Sequence, residues 1–231
     1  MITKAQIKLI RSLELKKFRK QYGLFVAEGH KIISDLRQYY ELVDLFEGED
    51  ARKASLLDTP ADMVATFRIP DSPSNNGGID LSQLSLALDS VQNPGNMGTI
   101  IRLADWFGIE DIYLSEGCAD VFSPKVVQAT MGSLARVRTH YCDLPSLISS
   151  LPSDFPVYGT FLDGTDIYRE SLSENGMIVM GNEGHGVSEE VAQLVTRKLF
   201  IPNYPAGRTT GESLNVAIAT AVVCSEFRRR Q

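Results

Sequence analysis

Residues 84–107 read LSLALDSVQNPGNMGTIIRLADWF, and the fold class follows from them. LSLAL is a short apolar run closed by Asp89 and Ser90, which reads as a buried strand. Asn93, Pro94, Gly95, Asn96 and Gly98 form a tight turn, after which GTIIRLADWF takes up a helical period and carries Arg102 about one turn in. The same alternation continues downstream. DIYLS, VYGTFL, GMIVMG and KLFIPN read as strands, while residues 125–131, 188–195 and 213–229 read as helices. Ser123 followed by Pro124 supplies a cap and a first helical position. Strands alternating with helices predict an α/β domain, with a mainly parallel sheet covered on both faces. In such sheets ligands gather beyond the carboxyl ends of the strands.

Upstream the pattern differs. Thr3 and Gln6 form a capping box ahead of Ile7, Ile10 and Leu13, which predicts a helix. YGLFVAEG reads as a short strand with a loop, and HKIISDLRQYY as a second helix. Residues 71–80, DSPSNNGGID, are rich in turn formers and almost free of apolar side chains. They divide the chain into a small domain over 1–75 and a larger one over 76–231.

Composition narrows the function. The chain has 231 residues, 43% hydrophobic and 23% charged, enough apolar content for a packed core. No apolar run is long enough to span a bilayer, and the N-terminus lacks the pattern of a secretory signal. Cys118, Cys142 and Cys224 are sparse and odd in number, which fits a reducing cytoplasm better than a disulfide framework. The three histidines are equally scattered, so no metal site is expected. A net charge of -6 opposes nucleic-acid binding in sum, yet its distribution is uneven. Lys4, Lys8, Arg11, Lys16, Lys17, Arg19, Lys20 and Lys31 crowd the first segment against Glu14 and Glu28. A basic arm on an acidic body suits RNA, and a solvated helix face has the same composition.

Three strand ends carry unusual residues: the NPGN turn with Arg102 beyond it, GNEGHG with Asn182 and Glu183, and a long loop ending in GESLNVAIA with Ser213 and Asn215. Each admits a plainer reading. GNEGHG is also an ordinary turn with Ser188 capping the next helix, Arg102 a surface charge, and Ser213 and Asn215 helix-start residues. GNEGHG lacks the spacing of a dinucleotide fingerprint, and no Walker-type loop occurs.

Taken in order, NPGNMGTIIR, GNEGHGVS and IP…SLNVAIA resemble the three signature motifs of the SpoU (TrmH-like) family of RNA ribose 2′-O-methyltransferases, over roughly residues 84–231. The basic N-terminal part resembles, more loosely, the small substrate-binding domain found ahead of the catalytic domain in many members. The resemblance implies a knotted parallel-sheet methyltransferase domain with a trefoil knot, and S-adenosylmethionine as cofactor. Matching positions for the cofactor are Thr160, Gly181, Glu183, Ile201, Ser213 and Leu214. It implies Arg102, Asn96, Glu183, Ser213 and Asn215 as the catalytic set, with Arg102 central to activating the hydroxyl. Lys4, Lys8, Arg11, Lys16, Lys17 and Arg19 would grip RNA, ribosomal rather than transfer RNA. A homodimer is also implied, and the final helix, with Ala217, Ala219 and Ala221 among apolar neighbours, suits close packing against a second copy or equally within its own core. Two departures stand out: residues 203–212, NYPAGRTTGE, are longer than the family's spacing, and Val187 replaces the usual leucine. The rival expectations are a non-catalytic RNA-binding or ribosome-assembly protein that kept the fold, and a nucleotide-cofactor enzyme on an open α/β sheet.

Overall fold

The computed structural model describes residues 1–70, 79–205 and 213–229. The expected capping box opens α1 (Lys4–Ser12): the Thr3 side chain accepts the Gln6 N–H at 3.2 Å, and the Gln6 side chain accepts the Thr3 N–H at 3.0 Å. The first helical segment is in fact two helices, because the chain turns at Leu13–Leu15 before α2 (Lys16–Tyr22). Gly23 ends α2 at φ +62°, a left-handed stop that favours glycine. Next come β1 (Leu24–Glu28), α3 (His30–Leu36), β2 (Leu42–Glu47), α4 (Gly48–Ala54) and β3 (Met63–Arg68). The three strands form an antiparallel sheet in the order β1-β3-β2. Helix α3 stops four residues short of the expected end, and Tyr40 instead donates its hydroxyl to the Leu134 carbonyl at 3.2 Å.

The second half runs β4 (Leu84–Leu88), α5 (Pro94–Trp106), β5 (Asp111–Leu114), α6 (Pro124–Thr130), a 3-10 turn (Ser133–Ala135), β6 (Arg138–Tyr141), α7 (Leu144–Ser149), β7 (Val157–Asp166), β8 (Gly176–Met180), α8 (Glu189–Ala192), β9 (Arg197–Phe200) and α9 (Val216–Arg229). Its six strands are parallel in the order β6-β5-β4-β8-β7-β9. Strand β6 escaped the sequence reading because RTHY is a four-residue, polar edge strand with no apolar alternation to detect.

Strand order positions the site. From β4 the chain moves outward through β5 and β6, then returns on the other side, and β8 pairs directly with β4. The loops after β4 and β8 therefore leave a topological switch point, where ligands bind in open parallel sheets. Register makes those ends level: Leu88 pairs with Met180, so Asp89 and Gly181 emerge side by side. Both sheet faces are covered. Leu86, Leu88, Ile178 and Met180 pack with Ile100 of α5 and Phe227 of α9, while Ala87, Met177 and Val179 pack with Leu144 of α7 and Val191 of α8. Val187 packs beside the latter group, so the exchange for leucine keeps its apolar contact.

The expected boundary at 75/76 lies outside the described residues. The two sheets nevertheless share a core. Leu24 and Val26 face Ile10, Leu13 and Ala51, whereas Phe25, Ile33, Leu36 and Phe67 join the cluster that holds Val121, Val126 and Leu134. The Phe25 and Phe122 rings lie 5.0 Å apart across this junction. Among the described residues no helix is long and apolar enough to cross a membrane.

Candidate active site

The turn after β4 is built by local hydrogen bonds. Asp89 N–H donates to the Met180 carbonyl at 2.9 Å, extending the β4–β8 ladder by one step. Ser90 then adopts φ +60°, a strained value for a residue with a Cβ. Two contacts hold it there: its N–H donates to Ser115 Oγ at 2.8 Å, and Asn182 Nδ2 donates to its carbonyl at 2.7 Å. Asn93 caps α5, its Oδ1 accepting the N–H groups of Gly95 at 2.8 Å and Asn96 at 3.1 Å. Helix α5 begins at Pro94, earlier than the sequence indicated, so Arg102 sits about two turns in.

The glycine loop after β8 folds back on itself. A Cβ on Gly181 would meet the Gly186 carbonyl carbon and the Val187 nitrogen at 2.2 Å, so only glycine fits. Asn182 Oδ1 accepts the N–H groups of Gly184 and His185 at 2.8 and 3.1 Å. Asp89, buried at the end of β4, accepts the Ser188 N–H at 2.7 Å. Ser188 occupies the N-cap position of α8, although its hydroxyl makes no cap bond; the same holds for Ser123 ahead of α6.

Glu183 joins this loop to the first motif. Its carboxylate accepts Asn96 Nδ2 at 2.9 Å, Asn93 N–H at 3.2 Å and Gln92 N–H at 3.4 Å. Partial burial pushes its pKa up, and these hydrogen bonds outweigh burial to hold it below the usual glutamate value. Through these bonds the Glu183 carboxylate braces the turn after β4. Asn215 closes the chain of contacts. Its Nδ2 donates to Asn96 Oδ1 at 3.0 Å, while its Oδ1 accepts Ala217 N–H at 3.0 Å and Ile218 N–H at 3.3 Å, capping α9. Asn96, Glu183 and Asn215, separated by 87 and 119 positions from Asn96, are thus one hydrogen-bonded unit.

The other expected residues lie on or just after neighbouring strands and on or just before the helices that follow them. Thr160 in β7, Gly181 after β8 and Ile201 after β9 lie on adjacent strands of the sheet. Thr160 and Thr165 both align with Leu199, so residues 161–164 leave the ladder as a bulge beside this edge. Ser213 and Leu214 precede Asn215, with Leu214 52% exposed. Backbone-rich loops, a glycine with no room for a side chain and apolar Ile201 and Leu214 suit a flat heterocycle with a short polar chain. Arg102 is exposed and makes no hydrogen bond or ion pair among the described residues. Trp106, one turn further along α5, is 85% exposed. Of the longer loop, Arg208 and Thr209 lie outside the described residues, and Tyr204 is exposed.

Among the N-terminal helices, Lys4, Lys8 and Arg11 are exposed at helical spacing on α1, and Lys16 and Lys17 are exposed on α2. Arg19 departs from expectation. It is 3% exposed, and its guanidinium is taken up by Asp120 and by the carbonyls of Leu13 and Glu14, so it is not a free cation for RNA. Sequence reasoning missed Asp89 and Ser115 as loop anchors. A carboxylate closing an otherwise apolar strand was the available sign for Asp89; nothing in the sequence marks Ser115 or the φ of Ser90.

Comparison with known proteins agrees with this geometry. The SpoU rRNA Methylase family matches residues 83–225, and the MRM3-like substrate binding domain matches residues 4–65. The 23S rRNA (guanosine(2553)-2'-O)-methyltransferase RlmP of Bacillus subtilis is 30% identical over 96% of each chain. A TrmH-family protein from Porphyromonas gingivalis has a structure 40% identical in sequence with a TM-score of 0.89, covering 100% of both chains. The AdoMet-bound rRNA methyltransferase from Sinorhizobium meliloti is 29% identical with a TM-score of 0.87, covering 100% of this chain and 96% of the other. With its three motifs joined at the switch point of a parallel sheet, the chain belongs to the SpoU rRNA methylase family.

Proposed function

We propose that the protein transfers a methyl group from S-adenosylmethionine to a ribose 2′-hydroxyl of ribosomal RNA, inside the cell. The observation that carries this is the hydrogen-bonded unit of Asn96, Glu183 and Asn215, with Arg102, unpaired among the described residues, on the same helix as Asn96. S-adenosylmethionine, when bound, supplies an electrophilic methyl group on sulfur. Thr160, Gly181, Glu183, Ile201, Ser213 and Leu214 would hold it, largely by backbone, within a trefoil knot formed by the last three strands and their loops. Positioning then matters more than activation of the donor.

The hydroxyl is the weak partner, since it attacks only as its proton is shared or lost. A guanidinium is a poor base because it stays protonated. Arg102 instead pairs with the phosphate of the target nucleotide, whose oxygen shares the hydroxyl proton, while Asn96, Ser213 and Asn215 orient the ribose. Lys4, Lys8, Arg11, Lys16 and Lys17 contact RNA phosphates from a domain over 1–75, ahead of the catalytic domain over 76–231. A second copy of the chain covers the face of α5 and α9, where Trp106 and Ile218, 85% and 55% exposed, stand on packed helices.

Calorimetric titration with S-adenosylmethionine and S-adenosylhomocysteine, with NAD as control, tests the cofactor. Transfer of tritiated methyl to unmodified 23S rRNA, followed by mapping of alkali-resistant linkages, tests the reaction. Binding of the two sulfur compounds with label at ribose supports the proposal. Label on a base, or none with RNA present, rejects it.

A further inference from the structure

We propose that Arg19 and Asp120 form an interdomain strut that sets where the RNA-gripping surface stands relative to the reacting ribose, an inference that rests on the function proposed above. Arg19 lies within α2, between exposed Lys17 and exposed Lys20. Its Nη1 donates to the Leu13 and Glu14 carbonyls at 2.6 and 2.8 Å, which locks the elbow between α1 and α2. Its Nη2 and Nε donate to Asp120 Oδ2 at 2.6 and 3.2 Å. One buried side chain thus fixes both basic helices to each other and to a loop of the other domain. A guanidinium, with its donors in a planar fork, makes these four contacts together; an ammonium has no such fork.

The partner loop leads to the reaction centre. Asp120 stands between β5 and α6, and its Oδ1 accepts the Phe122 N–H at 3.0 Å. The same loop grips the first motif: Ser115 N–H and Cys118 Sγ donate to the Leu88 carbonyl at 3.1 Å each. Ser115 Oγ accepts from strained Ser90 at 2.8 Å, and Ala119 N–H donates to the Val91 carbonyl at 2.9 Å. Val91 is two residues before the cap of α5, which carries Asn96 and Arg102. The basic elbow is therefore joined, through Arg19–Asp120, the Asp120–Ala119 peptide link and the Ala119–Val91 hydrogen bond, to the turn that places the catalytic residues. Arg19 and Asp120 touch no reacting atom in this scheme; they act as positioning residues by fixing a distance.

Asp120→Asn, which keeps the Phe122 turn, and Arg19→Lys, which keeps the charge, test the strut in the full-length protein. Four quantities are read: S-adenosylmethionine affinity without RNA, affinity for unmodified 23S rRNA, single-turnover methyl transfer, and melting temperature. Donor and RNA affinities are expected to stay within about threefold, because the donor loops and exposed lysines are untouched. Transfer should fall about tenfold or more through misplacement of the ribose. Unchanged transfer in both variants overturns the strut. So does a parallel fall of donor affinity and transfer, the mark of general loss of folding. If the unaltered protein itself fails to label 23S rRNA, the proposed function fails instead, and the two failures are told apart.

Discussion

At the amino ends of β5 and β6, Asp111 accepts hydrogen bonds from Arg138 at 2.8 and 2.6 Å and from His140 at 2.8 Å, while Arg136 is bound to Asp105 at 2.7 Å. Beyond the carboxyl ends of β4 and β8, Glu183 meets only neutral N–H groups, and Arg102, two turns along α5, has no polar partner among the described residues. Both ends are rich in charge, and they use it differently. Charges satisfied by each other hold the structure together. An exposed arginine with no carboxylate bound to it among the described residues is available to an outside anion.

The sharpest way to break this contrast is Arg102→Ala. Methyl transfer should fall about 100- to 1000-fold, as for loss of one preorganised charge-stabilising donor, while the melting temperature and donor affinity hold. A matching fall in melting temperature would place Arg102 with the structural charges and end the comparison. Glu183→Ala comes next. Freeing three N–H groups should lower transfer by about tenfold or more and destabilise by about 1 kcal/mol. Because the folded-state pKa of Glu183 is lowered, its loop contacts persist at neutral pH and fail only as pH drops below the ordinary glutamate value of about 4.3. A pH–rate profile with an acid limb above that point would contradict the assignment.

Asp111→Asn probes the other end. Burial raises the pKa of Asp111, but hydrogen bonds from His140 and Arg138 dominate and hold it well below the carboxylate range. A group lowered on folding contributes stability that is full above its unfolded pKa of about 3.9 and is lost as pH falls through the folded value. The variant should therefore lose about 1 kcal/mol at neutral pH, a modest figure because the cluster is partly open to solvent. It should also show a flatter acid-denaturation curve, with methyl transfer near normal. The smallest effect is expected from Lys16→Gln with Lys17→Gln. The slope of log affinity for RNA against log salt should shrink by roughly 0.7–0.9 per charge removed. An unaltered slope would leave α2 outside the RNA contact.

Much of the parallel sheet was legible because parallel strands buried on both faces write their positions as short apolar runs, as LSLAL and GMIVM do. The motifs were legible because glycine and asparagine at strand ends answer to backbone geometry, and Asn93 caps its helix as its position suggests. Three things were not legible. Helix α2 begins after Leu15, with no side-chain cap to announce it. Arg19 looks like its neighbours Lys16 and Lys17 in sequence, and only the fold reveals that one cation in the row turns inward. Joining Asn96 to Asn215 spans 119 residues, a distance that no local pattern encodes.

The core shared by the two sheets bears on modularity. Phe25, Leu36 and Phe67, from the antiparallel sheet and α3, are buried against residues that flank the parallel sheet, each contributing roughly 2–3 kcal/mol by leaving water. Replacing the first sheet and its helices would strip those side chains from Val121, Val126 and Leu134 and bare an apolar seam. A working graft must carry matching surfaces for α6 and the 3-10 turn, because the joint is a packed surface and not a hinge.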